Sequence, residues 1–167
     1  MPLVLNGTTG VQDNSGAFVA GTAVASTSGT SIDFTSIPSW VKRVTVMFNG
    51  VSTSGTSNIQ IQIGAGSVDT ASYVSTASTN GSSLATSTAG FITAGTTAAA
   101  TTVNGWYAIC LLGSNAWTGS GSLARADGNM NNAGGAKTLS GTLDRVRITT
   151  VNGTDAFDAG SINILYE

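Results

Sequence analysis

The residue types able to do chemistry are few and scattered in this chain. It has no histidine and a single cysteine, Cys110, so Ser-His-Asp and Cys-His nucleophilic sites and the usual zinc sites cannot be assembled from it. Cys110 stands in Trp106-Tyr-Ala-Ile-Cys-Leu-Leu112 with no basic neighbour in sequence to hold a thiolate, and is expected to be a small buried hydrophobe on a core strand. Neither Gly-x-Ser-x-Gly nor a P-loop occurs. Gly119-Ser-Gly-Ser-Leu-Ala124 fits the loose Gly-x-Gly-x-x-Ala dinucleotide pattern, but that motif works only between a strand and a helix, and strands are expected on both sides. Of the eight acids, Asp155 and Asp158 lie close together beside Asn152. Such a loop has the hard oxygens of a calcium site and the paired carboxylates of a glycosidase. Its spacing does not match an EF-hand, and Asp and Asn are ordinary turn residues. The expectation is no catalytic residue, no metal, no cofactor and no enzyme activity.

Aromatic and amide side chains are the better candidates for binding, because a ring can stack on an apolar sugar face while an amide meets its hydroxyls; the same pairs also suit subunit packing. Trp117 lies near Asn115 in the turn-like Gly113-Ser-Asn-Ala-Trp, and both are candidate receptor contacts. Trp106 and Tyr107 are adjacent and must face opposite sides of a strand. Trp40 follows Pro38 and precedes a core strand, so it is expected to be packed. Asp127-Gly-Asn-Met-Asn-Asn-Ala-Gly-Gly135 reads as a polar loop, either a solvated connection or a receptor contact through Asn129, Asn131 and Asn132.

The elements that must position these residues are short strands divided by Gly, Ser and Asn turns. Alternation predicts strands over 22–26, 31–35, 41–51, 59–63, 72–76, 90–94, 103–112 and 120–126, with two closing strands around the Asn152-Gly153 turn. In 41–51 Val44, Val46 and Phe48 share a face; Ile59, Ile61 and Ile63 do so against Gln60 and Gln62. With turn residues between them, these two segments are expected to pair antiparallel. Val146 and Ile148 oppose Arg145 and Arg147, and Ile162, Ile164 and Tyr166 continue an apolar face, so a half-buried hairpin is expected to close the domain. No stretch has a convincing helical period. Many short strands at this spacing predict an all-β fold, an antiparallel β-sandwich of jelly-roll-like form over 22–167, preceded by an extension over 1–21. In that extension Leu3, Val4 and Leu5 form an apolar patch that either docks on a neighbour or frays. The Ser/Thr/Ala-rich stretch 75–102 reads either as a surface excursion or as strands facing sister subunits.

At 167 residues the chain suits one core, able to bury roughly 70% of its unfolded surface. Only 8% of its residues are charged, far below the roughly 25% of ordinary domains. The 41% of hydrophobic residues and their alternation argue against disorder. A net charge of −2 with six dispersed basic residues gives no footprint for nucleic acid. Neither a signal peptide nor a membrane-length apolar run is visible, so a chain made and left in the cytosol is expected. The glycosylation patterns at Asn80 and Asn152 are discounted on that ground.

The closing segment 142–167, the segment Ser28-Gly-Thr-Ser-Ile-Asp-Phe-Thr-Ser-Ile-Pro-Ser-Trp-Val-Lys-Arg-Val-Thr-Val-Met-Phe-Asn-Gly-Val-Ser52 and the opening Leu3-Val-Leu-Asn-Gly-Thr-Thr-Gly10 together resemble the C-terminal β-domain of tailed-bacteriophage tail-fibre proteins and their prophage relatives. The resemblance implies a virion structural protein assembled in the host cytoplasm. It also implies a homo-oligomer, specifically a homotrimer, with other virion proteins and a bacterial surface glycan as partners. The expected function is a small tail fibre or tail-tip protein for host attachment, with a capsid decoration protein that stabilises the phage head as the alternative.

Overall fold

The computed structural model describes residues 5–6, 10–11, 18–81 and 83–167. The described residues form strands and no helix. In chain order these are β1 (Leu5–Asn6), β2 (Gly10–Val11), β3 (Val19–Ala20), β4 (Val24–Ala25), β5 (Ser31–Thr35), β6 (Arg43–Thr53), β7 (Ile59–Ala65) and β8 (Ser67–Val68). They continue as β9 (Val74–Thr79), β10 (Ser83–Ser87), β11 (Phe91–Ile92), β12 (Val103–Gly113), β13 (Ala116–Arg125), β14 (Met130–Thr138), β15 (Arg145–Thr150) and β16 (Phe157–Tyr166).

Two antiparallel sheets face one another across one apolar core. The larger runs β10-β9-β14-β13-β12-β6-β16-β3, with β4 also on β16; the smaller runs β11-β7-β15-β5, with β8 on β7. The expected all-β sandwich is the fold observed. Each strand adopts the extended form because its apolar residues alternate and only one face can be buried. In β6 the inward set is Val44, Val46 and Phe48, and in β16 Ile162 and Ile164. The small sheet opposes them with Ile61 and Ile63 of β7, Val146 and Ile148 of β15, and Ile32 and Phe34 of β5.

Two expected pairings are corrected. β6 does not pair with β7: it lies between β12 and β16, while β7 lies between β11 and β15. The chain crosses from one sheet to the other between them, so their apolar faces meet across the core instead of side by side. The closing strands behave alike, since β15 joins the small sheet and β16 the large one, and no hairpin forms at Asn152-Gly153. The assigned faces are as expected: Val146 and Ile148 are buried, and Arg145 and Arg147 point outward. β3 and the Gly21 N–H, bonded to the Ile164 carbonyl at 2.7 Å, extend the large sheet into the segment expected as a separate extension. Leu3 and Val4 lie outside the described residues, and of Leu5 only its backbone pairing with Val11 is described.

The inner face of the large sheet is unusual in β13 and β14, where Gly119, Gly121 and Gly135 leave bare backbone. Aromatic rings fill that space. Tyr73 meets Phe91 edge-on at 5.2 Å, and Phe91 meets Tyr107 at 5.7 Å, a row worth more than its buried area alone. A Cβ on Gly121 would stand 2.4 Å from the Trp106 carbonyl oxygen and 2.8 Å from the Tyr107 ring. Glycine is required there by close approach. The same stretch that fits the dinucleotide pattern is therefore the interior of a strand, with no helix after it.

Candidate functional site

The amide and aromatic candidates do not form one site. Trp117 is 3% exposed and Asn131 is 1% exposed, both on the inner face of the large sheet, which corrects the expectation that they meet a receptor. The cause is strand parity: Trp117 shares its face with Gly119, Gly121 and Leu123, and Asn131 shares its own with Ala133, Gly135 and Lys137. Asn131 accepts a hydrogen bond from Thr79 Oγ1 at 2.8 Å, so its amide serves the interior. The expected polar loop at 127–135 is also corrected, because from Met130 onward it is β14, an inner strand between β13 and β9.

Asn115 sits in the β12–β13 turn, where Ser114 and Asn115 both have positive φ, 48° and 61°. Asn129 sits at the other end of β13, about 30 Å away at strand rise. There its side chain accepts from Asn80 Nδ2, while Asn80 Oδ1 accepts from the Met130 N–H at 2.9 Å, tying two neighbouring turns together. Asn132 alone of the five faces outward from the middle of the large sheet, accepting from Ser122 Oγ at 2.7 Å.

Every described carboxylate is held by a partner within the chain. Asp33 pairs with Arg147, Asp69 with Lys137, Asp127 with Arg125, Asp144 with Arg145, and Glu167 with Arg43. Asp155 accepts from Asn152 Nδ2 at 2.8 Å and from the Ser57 N–H at 2.9 Å, and these bonds hold its pKa below the usual carboxylate range. Asp158 accepts from Ser52 Oγ. The two acids considered for calcium or glycoside chemistry thus fasten their own loop to neighbouring segments. Among the described residues no group of three or more acids, cysteines or histidines comes together.

Cys110 is corrected as well: it lies half-exposed on the outer face of β12, over a depression of about 140 Å³ lined by Ala108, Thr118 and Ser120. Its strand neighbour Trp106 also faces outward and is 48% exposed, so Trp106, not Trp117, presents an indole to the surface. Trp40 packs against Tyr166 at 5.9 Å, as expected.

The most constructed polar surface is the outer face of the small sheet, which the sequence reading left unmarked. Register places Gln62, Arg147 and Asp33 in one cross-strand row and Gln60, Thr149 and Ser31 in the next. They line, with the Asn152 turn and Thr70, a groove of about 360 Å³ to which Asp33 contributes through Arg147. Arg147 is gripped by Asp33 through two bonds, Nε to Oδ1 at 2.7 Å and Nη2 to Oδ2 at 3.1 Å. That grip raises the guanidinium's pKa further and fixes its plane. Gln62 donates to the Ala89 carbonyl at 2.9 Å, and Gln60 accepts from Ser87 Oγ at 3.1 Å, so the 87–90 segment clamps both amides. Thr149 donates to the Thr30 carbonyl at 2.8 Å. The groove is floored by Gln60, Gln62 and Thr149, which are buried and already hydrogen-bonded, and presents Arg147, Ser31 and the Asn152 turn at its surface with balanced charge. It suits a ligand rich in hydroxyls and contains no group poised as a nucleophile or base. The signal in the sequence was the matched parity of Gln60, Gln62, Arg147 and Thr149; recognising it needed the knowledge that β7 and β15 are neighbours.

Comparison of the chain with protein-family models, with curated proteins and with solved structures gives no match.

Proposed function

We propose that this chain is a non-enzymatic structural protein of a tailed-phage virion, a small tail fibre or tail-tip protein that attaches the particle to a host-surface glycan. The reading joins the resemblance of 28–52 and 142–167 to phage tail-fibre domains with one observation, the rigid, charge-balanced groove on the small sheet. Arg147, already locked by Asp33 above a floor fixed by Ala89 and Ser87, loses little freedom when sugar hydroxyls bind, which favours affinity without chemistry. Homo-oligomeric assembly and contact with other virion proteins belong to the same reading.

Binding of the purified full chain to host cells and to their extracted surface polysaccharide tests it, with Ser31→Trp, which fills the groove from the outer strand β5, as the comparison. Saturable binding lost in Ser31→Trp supports attachment through this groove; absence of binding by the wild type counts against attachment. The second reading, a capsid decoration protein, is favoured by a different observation. The outer face of the large sheet is broad and uncharged from β10 to β12, as suits a protein clamped against other proteins.

A further inference from the structure

The outer face of the large sheet has an internal symmetry that assigns it a partner. Register runs one cross-strand row from Leu84 through Ser78, Asn132 and Ser122 to Trp106. Leu84 on β10 and Trp106 on β12 thus stand two strands to either side of β14, each about 10 Å from it at the usual strand spacing. Both are large, apolar and outward, 70% and 48% exposed. Val74, Leu112 and Met130 lie on the same face, which among the described residues leaves only Phe18, Val24 and Val151 of the exposed large hydrophobics elsewhere.

We propose that this face binds a second copy of the chain about a two-fold axis running along β14. Rotation about that line lays Trp106 of each protomer over Leu84 of the other, so one contact is made twice, as an isologous interface demands. Beside Leu84 lies a depression of about 290 Å³, lined by Thr76, Ser78, Asn132 and Gly134, that receives the incoming indole. On the axis itself β14 presents Asn132, Gly134 and Ala136, whose small or slender side chains let two sheets approach to about 10 Å. Among the described residues no charged side chain projects from this face between β10 and β12, so none of them has to be desolvated as an ion. The small sheet's outer face, by contrast, bears Arg145, Arg147 and Asp33. With five residues in β10, six in β9 and nine in β14, laying β12 over β10 and β13 over β9 leaves about 500 Å² of projected overlap per protomer, the size of a weak dimer whose population depends on concentration.

The pairing does not depend on the phage reading, and it commits to two-fold contact where the resemblance implies a trimer. Sedimentation velocity of the full chain over a wide concentration range is expected to show twice the 16.6 kDa chain mass. Asn132→Arg, which sets two like charges face to face on the axis, and Leu84→Glu are each expected to weaken association at least about tenfold. Ser31→Arg on the opposite sheet should leave it unchanged, with cooperative unfolding confirming that all three variants fold. In a Cys110→Ser background, Gly134→Cys should be joined to its copy by a short bismaleimide, since a Cβ there meets nothing nearer than 3.7 Å and lies on the axis, while facing sheets about 10 Å apart are beyond the reach of a disulfide. Trp106→Cys alone should not, but mixed with Leu84→Cys it should crosslink. A chain that stays monomeric, a trimer mass, or a dimer indifferent to Asn132→Arg and lacking the Gly134→Cys crosslink overturns the proposal. None of these outcomes bears on whether the protein resides in virions, which is read from particles directly.

Discussion

The Tyr107 ring lies on the bare backbone of Gly121, its directly opposed cross-strand partner, closely enough that a Cβ on the glycine would come within 2.8 Å of the ring. This contact joins the two longest hairpin strands to the aromatic row beneath them. It explains why a strand of ten residues contains Gly-Ser-Gly at its centre despite the poor strand propensity of glycine.

Gly121→Ala is therefore expected to destabilise the fold by at least about 2 kcal/mol, because the added methyl meets the Trp106 carbonyl as well as the ring and neither can withdraw freely. Gly134→Ala, whose Cβ would meet nothing nearer than 3.7 Å, should be tolerated. Denaturant unfolding of the two variants separates the outcomes; equal stabilities would refute the packing described.

Tyr107 is fully buried, its hydroxyl has no hydrogen-bond partner, and burial raises its pKa above the ordinary 10.0. Tyr107→Phe removes an unpaired polar atom and leaves the ring in place. It should stabilise the protein at neutral pH, by about 1 kcal/mol. A clear loss of stability on denaturant unfolding would mean that the hydroxyl has a partner in solution.

Trp117, a candidate receptor contact, is buried, and of the adjacent pair Trp106 and Tyr107 it is Trp106 that faces outward, so stability should follow burial. Trp117→Ala is expected to cost about 3–5 kcal/mol. Trp106→Ala, measured in dilute solution, should stay within about 0.5 kcal/mol. Iodide quenching of single-tryptophan variants provides the independent check: Trp106 accessible, Trp117 shielded.

How far this arrangement was legible in the sequence depended on whether a residue's neighbours lay on its own strand. The inward sets Val44, Val46 and Phe48, or Ile162 and Ile164, follow from alternation alone, and so did the sandwich. β14 was missed because its inward residues are Asn131, Ala133, Gly135 and Lys137, which offer no apolar period; it is a strand only because β9 and β13 pair with it. Trp117 beside the turn at Asn115 suits receptor contact or packing equally by residue type, and its parity with Leu123 places it inside. The groove could not be read at all without sheet order, since Gln62, Arg147 and Asp33 come from three separate strands.

Stability should be nearly level between about pH 5 and pH 9, because no histidine titrates there. Asp155 and Asp144 have depressed pKa values, held down by Asn152 and by Arg145 respectively. Their contribution is complete above about pH 4, the unfolded carboxylate range, and is lost as pH falls through their lower folded values. Tyr73 and Tyr107 have raised values, mainly from burial, so their contribution is complete below pH 10.0 and is lost as pH rises beyond it. Melting temperature against pH should show a plateau with falls at both ends, and Tyr107→Phe should soften the alkaline one. A midrange transition would contradict this assignment.

Quantitative protein composition of intact virions, combined with gold-labelled antibody against the chain, tests the central claim most directly. Tail attachment predicts a few copies per particle with label at the tail. Absence from purified particles would contradict a virion role, and hundreds of copies over the head would contradict host attachment in favour of capsid decoration.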